Sequence, residues 1–238
     1  MSVELSRAVE SETVLPVGIP GLDTLLHGGL PTGNAVLVQG APGTGKTILG
    51  MQFLQAGITE YAEPGLLVTF EEPPQRLYRD AAALGWDFAG WERDHRLQVI
   101  YTSPTVFLKE LEADHYSRLI RDLGIRRIVV DSLNQFETLP GEVRDVRIRF
   151  QRIVNALRRD GLTIFMTREL ETREPMGRVT PEEYIADTII QLEYRLLGER
   201  RARLIEVLKH RGSGHSPAQH RFLIAPGGLQ ILAETNGA

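Results

Sequence analysis

Apolar residues along the chain fall into two alternating rhythms. Short, largely apolar runs occupy positions 35–39, 66–70, 97–101, 127–131 and 162–167, the pattern of strands buried on both faces of a parallel sheet. Between them the apolar positions take helical spacing, in ILGMQFLQAGITEY after Lys46, over 74–84, near 108–123 and over 146–159, with Asp160-Gly161 as a turn. This alternation predicts an α/β sheet with helices on both faces. After Thr167 the rhythm changes, and 189–194, 203–209, 221–224 and 229–232 read as strands without helices between them, an antiparallel C-terminal extension. Residues 1–17 show little periodicity and read as an arm or an edge strand, with Pro16 and Pro20 bracketing the entry to one domain spanning 18–238. A short helix over 21–26 opens that domain, and no internal repeat or low-complexity segment interrupts it.

Composition narrows the class without altering the layout. The 238 residues are 42% hydrophobic and 24% charged, as in ordinary folded domains. With no cysteine, disulfides, thiolate metal sites and cysteine nucleophiles are all excluded. The first twenty residues contain no apolar run resembling a signal peptide, and no stretch approaches the roughly 20 apolar residues of a membrane helix, so a cytoplasmic protein off the membrane is expected. A net charge of -4 argues against a protein that coats nucleic acid.

Chemistry enters after the first strand. Gly40-Ala41-Pro42-Gly43-Thr44-Gly45-Lys46-Thr47 fits G-x-x-x-x-G-K-[ST] at every fixed position, between a predicted strand and a predicted helix. Glycines let backbone N–H groups close around phosphates, and the following helix adds its positive end. Lys46 is expected on the β and γ phosphates of ATP and the Thr47 hydroxyl on Mg2+. A second oxygen ligand is expected at a neighbouring strand end, where Arg127-Ile128-Val129-Val130-Asp131 supplies Asp131; otherwise that acid simply caps the following turn through Ser132.

Further candidates surround this pair. Glu71 and Glu72 follow the strand at 66–70, on the edge where such sheets bind nucleotides, and since adjacent residues of an extended chain point apart only one of them can face a γ-phosphate directly. That one would be a general base and a further metal neighbour; otherwise both are acids opening the next helix. Lys209 and Arg211, two apart at a strand end with Ser213 continuing the spacing, share one face, as cations that stabilise transition-state charge or as charges protecting a sheet edge. The odd spacing of His210, His215 and His220 sends successive rings to opposite faces, which does not converge as zinc ligands would. Trp86, after Gly85, suits either an adenine ring or the core.

These motifs together resemble the KaiC branch of the RecA-like ATPases. The resemblance runs from Gly18 to Leu232 through GIPGLDTLLHGGLPTGNAVLVQGAPGTGKT, TFEEPPQRL with ALGW, IVVDSL, ADTIIQLEY and LKHRGSGH. It implies a RecA-like fold, a homo-oligomeric hexameric ring and ATP sites shared between subunits, one giving the glycine loop and the next the cationic strand. By motif position Glu71 takes the catalytic role with Glu72 beside it, and Lys209 and Arg211 act in trans. Ala83, Leu84, Gly85 and Trp86 match a segment near the base or ribose. Ile48, His210, Ser213 and His215 complete the nucleotide contacts. Glu183-Tyr184 stands where the second domain of KaiC carries its phosphorylated Ser-Thr pair, so the chain resembles the first, ATP-hydrolysing domain. Pro226 stands where the family often has an acid approaching adenine.

The resemblance favours an ATPase whose slow turnover switches or times the binding of a protein partner. A DNA-handling motor on the same core would present basic loops, and the candidate segments 134–144 and 169–180 are of mixed charge. A nucleotide-gated scaffold and a protein kinase use the same site.

Overall fold

The computed structural model describes residues 14–141, 143–170 and 180–232. Its first half contains β1 (Val14–Leu15), α1 (Leu22–Leu25), β2 (Leu30–Pro31), β3 (Ala35–Gly40), α2 (Lys46–Glu60), β4 (Gly65–Thr69), α3 (Pro74–Ala83), α4 (Phe88–Arg93) and β5 (Leu97–Tyr101). There follow α5 (Pro104–Glu112), α6 (His115–Leu123), β6 (Arg127–Asp131), α7 (Asn134–Glu137), α8 (Val143–Arg159) and β7 (Thr163–Glu169). The chain closes with α9 (Pro181–Ile185), β8 (Thr188–Leu197), β9 (Arg200–His210), β10 (His220–Ala225) and β11 (Gly228–Ile231).

The expected α/β architecture is observed. One nine-stranded sheet runs β11-β10-β9-β8-β3-β7-β6-β4-β5, parallel from β8 to β5 and antiparallel from β8 to β11. The strand leading into the glycine loop, β3, is central, and all its residues are buried. Its alternation divides the core: Val36 and Val38 join α2, α3 and α4 on one face, whereas Ala35 and Leu37 join the layer of α5, α6 and α8 on the other. β6 repeats the division, with Val129 on the first side and Ile128 and Val130 on the second.

Several elements differ from the sequence expectation. The helix expected near 108–123 is two helices, because Asp114 takes a left-handed conformation (φ 58°) that an α-helix cannot pass through. The first of them begins earlier, at Pro104, where Ser103 Oγ accepts the Val106 N–H at 3.3 Å. The helix α4 was not anticipated; Asp87 caps it through the Gly90 N–H at 2.9 Å. β7 continues past Thr167 to Glu169, and the hairpin strands β8 and β9 are longer than expected. Of the N-terminal stretch, residues 1–13 lie outside the described residues, and Val14–Leu15 pairs with Leu30-Pro31 in a separate two-stranded sheet and not at the edge of the large one.

Arg127, at the start of β6, is fully buried and fixes how the layers meet. Its guanidinium donates to Glu63 Oε2 at 2.6 Å, to the carbonyls of Val17 and Phe53 at 3.1 Å and to that of Pro16 at 3.0 Å. A Cβ on Gly57 would stand 2.5 Å from its Cδ, so this turn of α2 has room only for glycine. Hydrogen bonds to a charged group contribute about 1.5–3 kcal/mol each. The N-terminal segment, α2 and β6 are thereby locked in one register below the glycine loop. No described helix is long and apolar enough to cross a membrane.

Candidate functional site

The central position of β3 delivers residues 40–47 to the C-terminal edge of the parallel strands, the usual ligand edge of such sheets. Gly45 is left-handed (φ 109°) at the head of α2. A Cβ on Gly40 would meet the Leu192 carbonyl oxygen at 2.3 Å, so the close passage of β8 alone demands glycine there. Thr44 is buried with its hydroxyl donated to the Ala41 carbonyl at 2.8 Å, which tightens the loop. Ile48, half-buried, packs on the core behind it.

Lys46 Nζ curls back into the loop, donating to the carbonyls of Gly40 at 2.9 Å and Ala41 at 3.0 Å, with Glu169 Oε2 at 3.9 Å. Burial lowers its pKa, and the carboxylates of Glu169, Asp131 and Glu71 oppose that shift. The ammonium is thus a buried cation held by neutral carbonyls, a position that phosphate oxygens would satisfy better.

The Thr47 hydroxyl donates to Asp131 Oδ2 at 2.9 Å, and the Thr167 hydroxyl donates to the other carboxylate oxygen. Asp131 is 9% exposed. Burial raises its pKa, the two threonine hydrogen bonds lower it, Glu71 raises it and Lys46 lowers it. A hydroxyl and a carboxylate beside a glycine cradle form the hard-oxygen donor set of Mg2+, so the residues present fit ATP with magnesium. A divalent cation there would reverse the cost of ionising Asp131.

That cost predicts a separation of effects. A carboxyl whose folded pKa lies above its unfolded value destabilises the fold once the pH exceeds the unfolded value, because only the unfolded chain ionises freely. Asp131→Asn is therefore expected to raise the melting midpoint of the ligand-free protein at pH 7 by a few degrees. The same variant should lose the extra stabilisation that magnesium adds to ATP. Calorimetric scans with ATP, with and without magnesium, check both.

The two glutamates separate in the bend that follows β4. Glu71 turns to the loop side, accepting from Ser132 Oγ at 2.8 Å and Gln135 Nε2 at 3.1 Å. Glu72 turns away to Arg76 Nη1 at 3.1 Å, and its backbone engages the Thr69 hydroxyl. Of the base segment, Ala83 and Gly85 are exposed and Leu84 is half-buried, its carbonyl accepting the Gly227 N–H at 2.8 Å in the β10–β11 turn. Trp86 is 6% exposed and packs on Phe88 with ring centroids 6.2 Å apart, placing the indole in the core.

Lys209 and Arg211 lie at the other end of the sheet. His210 pairs with Thr188, level with Val36 at the start of β3, whereas Gly40 at its end is level with Leu192. At about 3.3 Å per residue the cations stand ~13 Å or more below their own glycine loop. Lys209 Nζ donates to the carbonyls of Glu183 at 2.8 Å and Ala186 at 2.6 Å, and its pKa is lowered by burial and by Arg211. Arg211 is exposed; its N–H donates to the Asp187 carbonyl at 2.9 Å and its Nη1 lies 3.7 Å from the Asp187 carboxylate. His210 is buried on the Thr188 hydroxyl at 2.8 Å, and burial lowers its pKa. Ser213 is exposed and His215 half-buried, its Nδ1 3.0 Å from the Ser216 carbonyl oxygen.

Sequence reasoning did not select Thr167, Glu169, Ser132, Gln135 or Asp187. Thr167 and Glu169 reach Asp131 and Lys46 from β7, while Ser132, just after β6, and Gln135, on α7, hold Glu71. Asp187 accepts the Ala35 N–H at 3.0 Å and bonds Arg158, tying the start of β3 to the segment that holds Lys209 and Arg211. Of the loops weighed for a DNA channel, residues 142 and 171–179 lie outside the described residues.

Comparison with known proteins agrees with this architecture. The sequence model of the family described as "ATPase: KaiC" matches residues 15–236. The chain is 36% identical over 223 residues to the circadian clock oscillator protein KaiC of Synechococcus elongatus, covering 90% of this chain and 43% of that one. To the circadian clock protein KaiC2 of a Synechocystis species it is 33% identical over 229 residues, covering 93% and 40%. The chain thus spans less than half the length of these two relatives. The crystal structure of the KaiC-like protein PH0186 from Pyrococcus horikoshii superposes with a TM-score of 0.82 at 31% identity, covering 93% of this chain and 99% of that one.

Proposed function

The chain belongs to the KaiC family of ATPases, and from that premise we propose that it hydrolyses ATP slowly at the interfaces of a homo-oligomeric ring and thereby switches the binding of a protein partner. The observation that carries this reading is the contact of Thr47 with Asp131 at 2.9 Å beneath the glycine loop, with Glu71 on the same strand edge. Bound Mg·ATP supplies the reactive phosphoanhydride and a cation that neutralises its charge. Gly43 and Gly45 would offer their backbone N–H groups to the phosphates, and the Thr44 N–H would leave the Ala41 carbonyl, 3.4 Å away, to join them. Lys46 would leave the Gly40 and Ala41 carbonyls to meet them, and Thr47 and Asp131 would hold the metal.

Glu71 accepts the proton of the attacking water, with Ser132 and Gln135 fixing its carboxylate. Glu72 stays on Arg76 and opens α3. Ala83, Leu84 and Gly85 border the base beside the β10–β11 turn, with Trp86 supporting them from the core. Lys209 and Arg211, remote from their own loop and steadied by α9 and Asp187, serve the site of the adjacent subunit, accompanied by Ser213 and His215.

Phosphate release tests the proposed base. Glu71→Gln keeps the hydrogen-bonding shape but not the basicity, and should slow single-turnover release about 100-fold with ATP affinity unchanged. Glu72→Gln should stay close to wild type. Equal rates for Glu71→Gln and wild type would remove Glu71 from the role.

A further inference from the structure

The antiparallel extension of the sheet ends in a fork. β9 pairs with β8 from Arg200 to His210, but with β10 only over residues 203–205. Beyond Phe222, β10 leaves β9 and continues to Ala225 paired with β11 alone. Residues 200–202 therefore present a strand edge that no strand among the described residues covers. It lines a groove of about 560 Å³ shared with residues 221–223.

The groove is both cationic and apolar. Arg200, Arg201 and Arg221 are exposed and Arg203 is half-buried, and none of them has a carboxylate partner among the described residues. Arg201 and Arg203 lie instead over the Tyr194 ring, 5.5 and 4.7 Å from its centroid. Arg203 Nε is buried without a hydrogen-bond partner. Leu223 is 54% exposed and Tyr194 41%. One acid, Glu199, shares the lining.

We propose that this fork docks an acidic, extended segment of a partner protein, which adds to the β9 edge as a further strand. Carboxylates on one face of such a segment match the Arg201 and Arg203 guanidinium groups beside Tyr194, its alternate apolar side chains on the other face cover Leu223, and its main chain pairs with residues 200–202. A nucleic acid would answer the charge but neither the strand edge nor the leucine. The groove also shares β10 with the nucleotide loop. Leu223 lines the groove, whereas Ile224 reaches the head of α2, where a Cβ on Gly45 would stand 2.9 Å from its Cδ1. Docking at the fork thus biases the loop, a coupling that rests on the nucleotide-switch reading above; the docking itself does not.

Fluorescence anisotropy with a short labelled peptide of alternating glutamate and valine tests the site on the full chain. Saturable binding that weakens with salt is expected. Arg201→Glu with Arg221→Glu, and separately Leu223→Asp, should each weaken it at least about tenfold, while circular dichroism and ATP affinity match wild type. A proline in the middle of the peptide should also abolish binding, since it removes a ladder N–H. No binding, or tolerance of the proline, overturns strand addition. Oligothymidylate of equal length bound as tightly, and lost with Arg221→Glu, makes the fork a nucleic-acid site. Binding by isolated subunits that vanishes on assembly makes it a contact between copies. If the peptide binds equally with and without ATP, docking stands and the coupling fails.

Discussion

Lys46→Ala is expected to lower ATP affinity by about 10²–10³-fold, because the ammonium contributes two or more charge-assisted hydrogen bonds of about 1.5–3 kcal/mol each to the phosphates. The effect belongs to binding and not to folding. In the ligand-free protein Lys46 is a buried cation whose pKa is lowered by desolvation and whose partners are two loop carbonyls. Removing it relieves that desolvation and leaves only acceptors, which water can reach at the loop mouth beside exposed Pro42 and Gly43. The variant should therefore melt within a degree or so of wild type without ligand. A ligand present at about 100 times its dissociation constant stabilises by about 2.7 kcal/mol, and the variant should lose most of that gain. Titration calorimetry paired with thermal scans measures both. Affinity within a few-fold of wild type would mean that the loop does not hold phosphate.

The central layout was legible because strands buried on both faces carry uninterrupted apolar runs, and because the glycine loop is contiguous in the chain. Arg127-Ile128-Val129-Val130-Asp131 announced both a strand and the acid that ends it in five residues. What escaped was of two kinds. The break between α5 and α6 rests on Asp114 in a left-handed conformation, which has no marker in the sequence comparable to the Gly124 that ends α6. The neighbours of the loop were missed because they converge through sheet register alone. Thr167 and Glu169 reach Asp131 and Lys46 because β7 lies between β3 and β6, an order that apolar periodicity does not encode. Trp86 left two readings open, and its burial against Phe88 became visible only once α4 was placed.

Mixing two inactive variants should restore activity, and this follows from where the cations sit. Arg211→Ala is expected to slow hydrolysis about 10³-fold, the lower end for loss of an arginine that stabilises phosphoryl-transfer charge. Its own glycine loop and Glu71 remain intact. Glu71→Gln has the complementary defect, a compromised base with Arg211 in place. The register puts Lys209 and Arg211 level with the start of β3 and the loop at its end, so Arg211 has no path to the loop of its own chain. A ring that pairs the loop of one subunit with the Arg211 of the next converts two separate defects into one intact interface wherever an Arg211→Ala loop meets a Glu71→Gln neighbour. Random assembly of equal amounts makes about a quarter of interfaces whole, and the mixture should recover about that fraction of wild-type phosphate release. Recovery must require subunit exchange: the variants mixed as preformed rings should stay inactive. If Arg211 instead served the loop of its own chain, every site in the mixture would lack one of the two groups and no exchange would raise the rate.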